Sequence, residues 1–187
     1  MSLDILKTLF QDDLFGSFGN TYGRYFAQLK EDDVSAKLKN IKIFNIEHDS
    51  LLIKIDKTKP PNTLFKNTKG ERKRCDYLLI TKRNSKYYLV FIEIKSAKLN
   101  NNHIIKQFKG AECIVDYSSA ILRRFHDKPN FFNTFDKRFV CFYKPNIPKR
   151  TTRPIKNSSK PNSGKNTTPE KMLIYSDPIC LSISELI

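Results

Sequence analysis

The chain has 187 residues, of which 39% are hydrophobic, with 14 Phe and 8 Tyr as bulky filling, so one domain with a sizeable core is expected over 1–187. No apolar run approaches the ~20 residues that span a bilayer, and Met1-Ser2-Leu3-Asp4-Ile5 lacks the basic start and apolar centre of a signal peptide, so the expectation is a cytoplasmic protein with no membrane partner. Lys and Arg number 34 against 19 Asp and Glu, and the formal charge of +15 points to a polyanionic partner, nucleic acid first.

Charge alone gives attraction to phosphate and no sequence readout. An AT-rich genome also inflates Lys, Asn and Ile, so the charge by itself assigns no function. Cys75, Cys113, Cys141 and Cys180 are scattered and form no C-x-x-C pair, which argues against a zinc site. Each lies in a largely apolar stretch, and buried reduced thiols are expected.

Residues 2–15 read as a helix, with Leu3, Leu6, Leu9, Phe10 and Leu14 at helical spacing. Gly16 and Gly19 interrupt. A second helix is predicted over 21–31 with Tyr22, Tyr25, Phe26 and Leu29 as its apolar face, then a short helical piece over 34–39. The N-terminal 2–39 is thus expected to be helical. Two short strands follow at 41–46 and 51–55, with His48-Asp49-Ser50 as the turn between them. Residues 57–70 form a polar loop around Pro60-Pro61. Arg72, Lys73 and Arg74 then make a basic run, which either holds phosphates or is simply solvated.

The most informative stretch is 75–96. Residues 78–81 and 87–94 are rich in aromatic, β-branched and aliphatic side chains, as strands prefer, and 82–86 breaks them with charge, Asn and Ser. With Asn84 and Ser85 at the centre of a hairpin loop, facing positions sum to 169, and Asp76 faces Glu93. Strand side chains alternate, so Glu93 and Lys95 share a face. Two carboxylates and an ammonium then converge on one patch, suited to a divalent cation with a positive charge beside it. A one-residue slip would send Asp76 to the other face.

From His103 a helix is expected, with Ile104, Ile105, Phe108, Ala111, Ile114 and Val115 in one stripe, continued by Ile121, Leu122 and Phe125 after a break at Ser118-Ser119. His103, Lys106, Gln107 and Lys109 fall on its polar side, either solvated or turned toward a substrate. A strand at 138–143 completes a β-α-β unit, whose strands run parallel with the helix covering the sheet. Residues 145–171 hold five of the nine prolines, seven Lys or Arg and one Glu. Such a composition buries too little apolar surface to order itself, so a flexible basic loop is expected. Lys149, Arg150 and Arg153 are its candidate nucleic-acid contacts; a plain linker is the equal alternative. Strand 172–175 and a helical turn at 182–186 close the chain.

An acidic residue on one strand followed by Glu-x-Lys on the next, here Asp76 and then Glu93-Ile94-Lys95, resembles the signature of the PD-(D/E)XK nuclease superfamily. Cys75 stands where that signature has Pro. The resemblance covers roughly residues 72–125 and implies an α/β fold, a mixed central sheet flanked by helices, with a restriction-endonuclease-like α-β-β-β-α-β core. It implies magnesium (or manganese) held by Asp76, Glu93 and the backbone carbonyl of Ile94, with Lys95 beside the attacking water. Part of the family carries a Gln on the following helix with a Tyr four residues on; Gln107 matches, and Ala111 replaces the Tyr. Some members add a Glu upstream of the core sheet, for which Glu31 and Glu47 are the candidates.

The implied function is a metal-dependent endonuclease acting on phosphodiesters, DNA before RNA, in restriction, defence or repair. Arg72, Lys73, Arg74, Lys106 and Lys109 would contact the nucleic acid. A homodimer or a subunit of a larger complex stays open. The competing expectation is a non-catalytic nucleic-acid-binding module with a nuclease-like fold, which the basic charge serves equally well. A third is a protein-interaction adaptor built on the aromatic-rich N-terminus.

Overall fold

The computed structural model describes residues 2–30, 38, 40–58, 64–96, 99–144 and 166–187 of the chain. Glu31, Pro60-Pro61, Lys149, Arg150, Arg153 and the predicted helical piece 34–39, except Leu38, lie outside the described residues. Within them, helices α1 (Asp4–Leu9) and α2 (Asn101–Phe125) accompany nine strands. These are β1 (Ser17–Thr21), β2 (Arg24–Lys30), β3 (Asn40–Phe44), β4 (Leu51–Lys54), β5 (Tyr77–Arg83), β6 (Lys86–Lys95), β7 (Asp136–Tyr143), β8 (Leu173–Ser176) and β9 (Cys180–Ser182). The fold is mixed α/β with two mixed sheets, ordered β4-β5-β6-β7-β8 and β1-β2-β3-β9.

The central hairpin forms in the expected register. Tyr77 pairs with Ile92 and Arg83 with Lys86, so facing positions sum to 169. Asn84 and Ser85 take φ of 48° and 64°, the doubly left-handed turn whose twist matches its flanking strands. Neither residue is glycine, so the paired strands impose this turn against a local preference. β4 pairs antiparallel on one side of the hairpin, and β7 and β8 run parallel on the other. α2 is the crossover from β6 to β7.

Alternation along the five-stranded sheet divides two cores. Leu78, Ile80, Leu89, Phe91, Phe139 and Cys141 face α1 and α2. Leu79, Val90, Ile92, Ile94, Val140 and Phe142 face Ala27, Leu29, Ile41 and Ile43 of the other sheet. The layers are therefore helices, sheet, sheet, and the sheet is flanked by helices on one face only. Leu6, Ile104, Phe108 and Leu122 are fully buried, each worth roughly 1.5–3 kcal/mol of transfer from water. Phe139 stacks on Phe91 at 4.9 Å and meets Phe108 edge-on at 5.3 Å, which seats α2 on β6 and β7.

Several expectations are corrected. The described residues 21–30 of the predicted helix 21–31 are not helical: β1 and β2 make a hairpin about Tyr22 and Gly23, both at positive φ. Tyr25 and Leu29 point to the inner core, while Phe26 packs on Phe44 across the outer face at 5.1 Å. The 22-25-26-29 spacing of a helix thus came from an exposed turn residue, Tyr22, the inward Tyr25 and Leu29, and the outward Phe26. Residues 2–15 break at Phe10 into α1 and a 3-10 turn, Asp12–Leu14. β3 and β4 belong to different sheets, so His48-Asp49-Ser50 joins layers rather than strand partners. α2 runs without a break at Ser118, whose hydroxyl donates to the Ile114 carbonyl at 2.8 Å, and Phe125 at its end is exposed. Cys113 and Cys180 are exposed; only Cys75 and Cys141 are buried. The end of the predicted 145–171 loop is folded, with Asn166 and Pro169 buried and a 3-10 turn at Pro169–Lys171. No described helix is long and apolar enough to cross a membrane.

Candidate active site

Asp76 directly precedes β5, and the hairpin register carries it opposite Glu93. Its Oδ2 accepts the Ile94 backbone N–H at 2.6 Å, and its carbonyl accepts the Ile55 N–H at 3.0 Å. Asp76 and Glu93 have the parity of Leu78, Ile80, Leu89 and Phe91, so both lie on the face covered by α2. Lys95 shares that parity at the end of β6. The two carboxylates and the ammonium are on one face, as the register argument required. Ile94, between them, points its side chain to the opposite core and enters the site through its N–H.

Glu93 is fully buried. It faces Cys141 on β7, and its ammonium partner Lys95 pairs with Oε1. Burial pushes the Glu93 carboxyl up to about 7, against the pull of Lys95 first, then Gln107 and the Asp76 N–H. Lys95 therefore answers Oε1, while Oε2 has no conventional hydrogen-bond partner. Burial also pulls on Lys95 and would lower it; Glu93 and Asp76 outweigh that and hold the ammonium above its usual range. The surroundings are apolar enough to push the Cys75 thiol well up and the Cys141 thiol to about 12, by burial first and then by the charge of Glu93.

Gln107 is buried on α2 and not on its wet side. Its Nε2 donates to the Arg74 carbonyl at 3.1 Å, while its Oε1 has no hydrogen-bond partner. The basic run crosses α2 at Gly110, where a Cβ would stand 1.8 Å from the Lys73 carbonyl oxygen. Only glycine admits the run there. A lone Gly inside a helical pattern was the sequence signal for this close approach.

The predicted cations separate into three groups. Arg72 and Arg74 serve the loop: Arg72 Nη2 donates to the Lys66 carbonyl at 3.4 Å and Arg74 Nη1 to the Thr58 carbonyl at 3.0 Å. Lys109 is held by Glu170 at 2.7 Å. Lys73 and Lys106 converge: both stems pack against Gly70, and Lys73 Nζ lies 3.4 Å from His103 Nε2. Glu47 is exposed beside His48, Asp49 and the Asn84-Ser85 turn. That is the far end of the hairpin, roughly 25 Å along the strand from Asp76 at about 3.3 Å per residue, so Glu47 does not join the site.

No family model, curated protein or solved structure matches the chain. The nuclease resemblance therefore rests on the residues themselves.

The fit of a divalent cation is tested by the oxygens. Among the described residues no three His, Cys, Asp or Glu side chains come together. Magnesium commonly uses one or two carboxylates, completing its shell with water and substrate phosphate. Asp76 and Glu93 supply that pair. Two buried acceptors, Glu93 Oε2 and Gln107 Oε1, lack a directed donor, a deficit that is costly in a low-dielectric interior and that a hard cation or bound water relieves. The donor set fits.

Proposed function

We propose that the protein is a metal-dependent nuclease that hydrolyses phosphodiester bonds, DNA before RNA, and that the core from β4 to β7 with α2 is of the restriction-endonuclease-like kind. The observation that carries this reading is the fully buried Glu93, raised in pKa, with Oε1 paired to Lys95 and Oε2 without a directed donor, on one face with Asp76 and Lys95. A buried carboxylate left in this state lowers stability, and such departures from local consistency gather at functional sites.

Asp76, Glu93 and, through the amide oxygen, Gln107 are the residues to hold a divalent cation. When bound, the cation supplies Lewis acidity toward the phosphate and lowers the pKa of water. The chain supplies the rest. Lys95, with its side chain 28% exposed, reaches from Glu93 to the surface of the site and offsets negative charge developing on the phosphate. Drawn away from Glu93, it would lose the attraction that keeps it protonated, and burial would favour giving up its proton. Gln107 fixes Arg74 and so the chain entering Asp76. In the hydrolysis a water oxygen bonds to phosphorus, a bridging P–O bond breaks, and the proton leaves toward solvent past Lys95.

A second reading, binding without cleavage, is favoured by the Lys73–His103–Lys106 cluster, whose cations need no carboxylate to attract a phosphate. One experiment separates the two. Purified protein is incubated with plasmid, linear DNA and RNA, with Mg²⁺ or with a chelator, beside Asp76→Ala and Lys95→Ala. The nuclease reading expects Mg²⁺-dependent cleavage lost in both variants while both still bind DNA. DNA binding by the wild type with no cleavage under any metal would replace it by the second reading.

A further inference from the structure

The basic run and the first turns of α2 build a second feature beside the carboxylates. The close approach at Gly110 and the Gln107–Arg74 hydrogen bond fix the run across the helix. That fixation brings Lys73 against α2, where His103 and Lys106 stand one turn apart. The stems of Lys73 and Lys106 lie 3.3 and 3.2 Å from the space over Gly70, whose φ of +100° turns the chain there. Lys73 Nζ and His103 Nε2 are 3.4 Å apart. No described carboxylate pairs with Lys73, His103 or Lys106. The nearest in sequence, Glu71, is exposed and turned to the Lys69 N–H at 2.9 Å and to Thr68.

We infer that Lys73, His103 and Lys106 form a seat for one phosphoryl group of a nucleic-acid strand, next to the phosphate at Asp76, Glu93 and Lys95. The adjacent position rests on the nuclease reading above; the seat itself rests on this cluster. Like charges gathered on a fixed backbone repel one another, and an anion among them removes that repulsion. The positive end of α2 adds to the same field. Consistently, burial first, then Lys73, Lys95 and Lys106, hold His103 below its usual pKa. These are the charged groups facing it from the basic run, β6 and α2. His103 is therefore largely neutral at pH 7 when the seat is empty, and an anion in the seat raises its proton affinity.

The test follows the imidazole by NMR pH titration, with His48 and His126 as internal references. The probes are inorganic phosphate and a short oligothymidylate, with and without a 5′-phosphate, in chelator so that no cleavage occurs. The seat predicts that each anion raises the His103 pKa by about one pH unit, the effect of one nearby opposite charge, and leaves the references unmoved. A larger rise with the 5′-phosphate identifies a strand end as the occupant, and an equal rise an internal phosphodiester; both support the seat. Lys73→Gln with Lys106→Gln raises the His103 pKa in the free protein and abolishes its response. Phosphate moving His103 while the oligonucleotide fails to bind reduces the cluster to a site for a free anion, overturns the nucleic-acid seat and removes the nuclease reading with it. An oligonucleotide that binds and leaves His103 unmoved overturns the seat and spares that reading. If neither probe moves His103, the seat is wrong.

Discussion

Replacing Glu93 by Gln should stabilise the protein at alkaline pH while removing its activity. The rise of the Glu93 carboxyl from 4.5 to about 7 corresponds to about 3 kcal/mol at 1.36 kcal/mol per pH unit. The sign follows from proton linkage. The folded state holds this proton more tightly than the unfolded chain does. Its contribution to stability is complete below about pH 4.5 and is lost as pH rises through about 7. Gln keeps the shape and carries no such loss. Lys95 loses its partner in the variant, but its side chain is 28% exposed and reaches water, so the penalty of a stranded buried charge falls well short of the 3–5 kcal/mol seen when both partners are enclosed. The advantage of Glu93→Gln over wild type should therefore grow by about 1–3 kcal/mol between about pH 5 and pH 8. Urea denaturation of both proteins at several pH values, with chelator present, measures this. A difference that stays flat across that range, or a variant that loses ground as pH rises, would refute the burial argument for Glu93.

Other expectations are equally specific. Mg²⁺ at one hundred times its dissociation constant should stabilise wild type by about 2.7 kcal/mol at pH 8 by mass action and should not stabilise Glu93→Gln, as read from thermal midpoints. Gly110→Ala places a methyl against the Lys73 carbonyl; it should cost about 1–3 kcal/mol, as overpacking does, and should expose the basic run to limited proteolysis. Ser85→Gly relieves a left-handed serine, φ 64°, and should stabilise by about 0.5–1 kcal/mol, with no change in cleavage; a loss of stability would mean the turn is held by side-chain contacts instead.

The hairpin was legible from its two apolar runs about a polar centre; its register rested on placing Asn84-Ser85 in the turn, which the pairing of Tyr77 with Ile92 bears out. The crossover helix was legible from its stripe. The second sheet was not. Turn residue Tyr22, inward Tyr25 and Leu29 and outward Phe26 fall at helical spacing, and no single-segment periodicity distinguishes that case from a helix. β9 was missed because three residues carry almost no pattern. Within the site, Glu93 and Lys95 could be named from the apolar flanks, but the degree of burial could not. The division among the cations was also hidden. Arg72, Arg74 and Lys109 have the same charge as Lys73 and Lys106, and only the fold shows which are occupied by the Lys66 carbonyl, the Thr58 carbonyl and Glu170.

The central claim is that Asp76, Glu93 and Lys95 make a cation-dependent phosphodiesterase site. Its most direct test is single-turnover cleavage of supercoiled plasmid in Mg²⁺ by wild type and by Glu93→Gln, compared at equal folded fraction. The predicted result is nicking or linearisation by wild type, abolished by chelator, and a rate at least about 10²-fold lower in the variant, the scale of losing one electrostatic contributor at a reacting centre. Cleavage by Glu93→Gln at the wild-type rate would contradict the account.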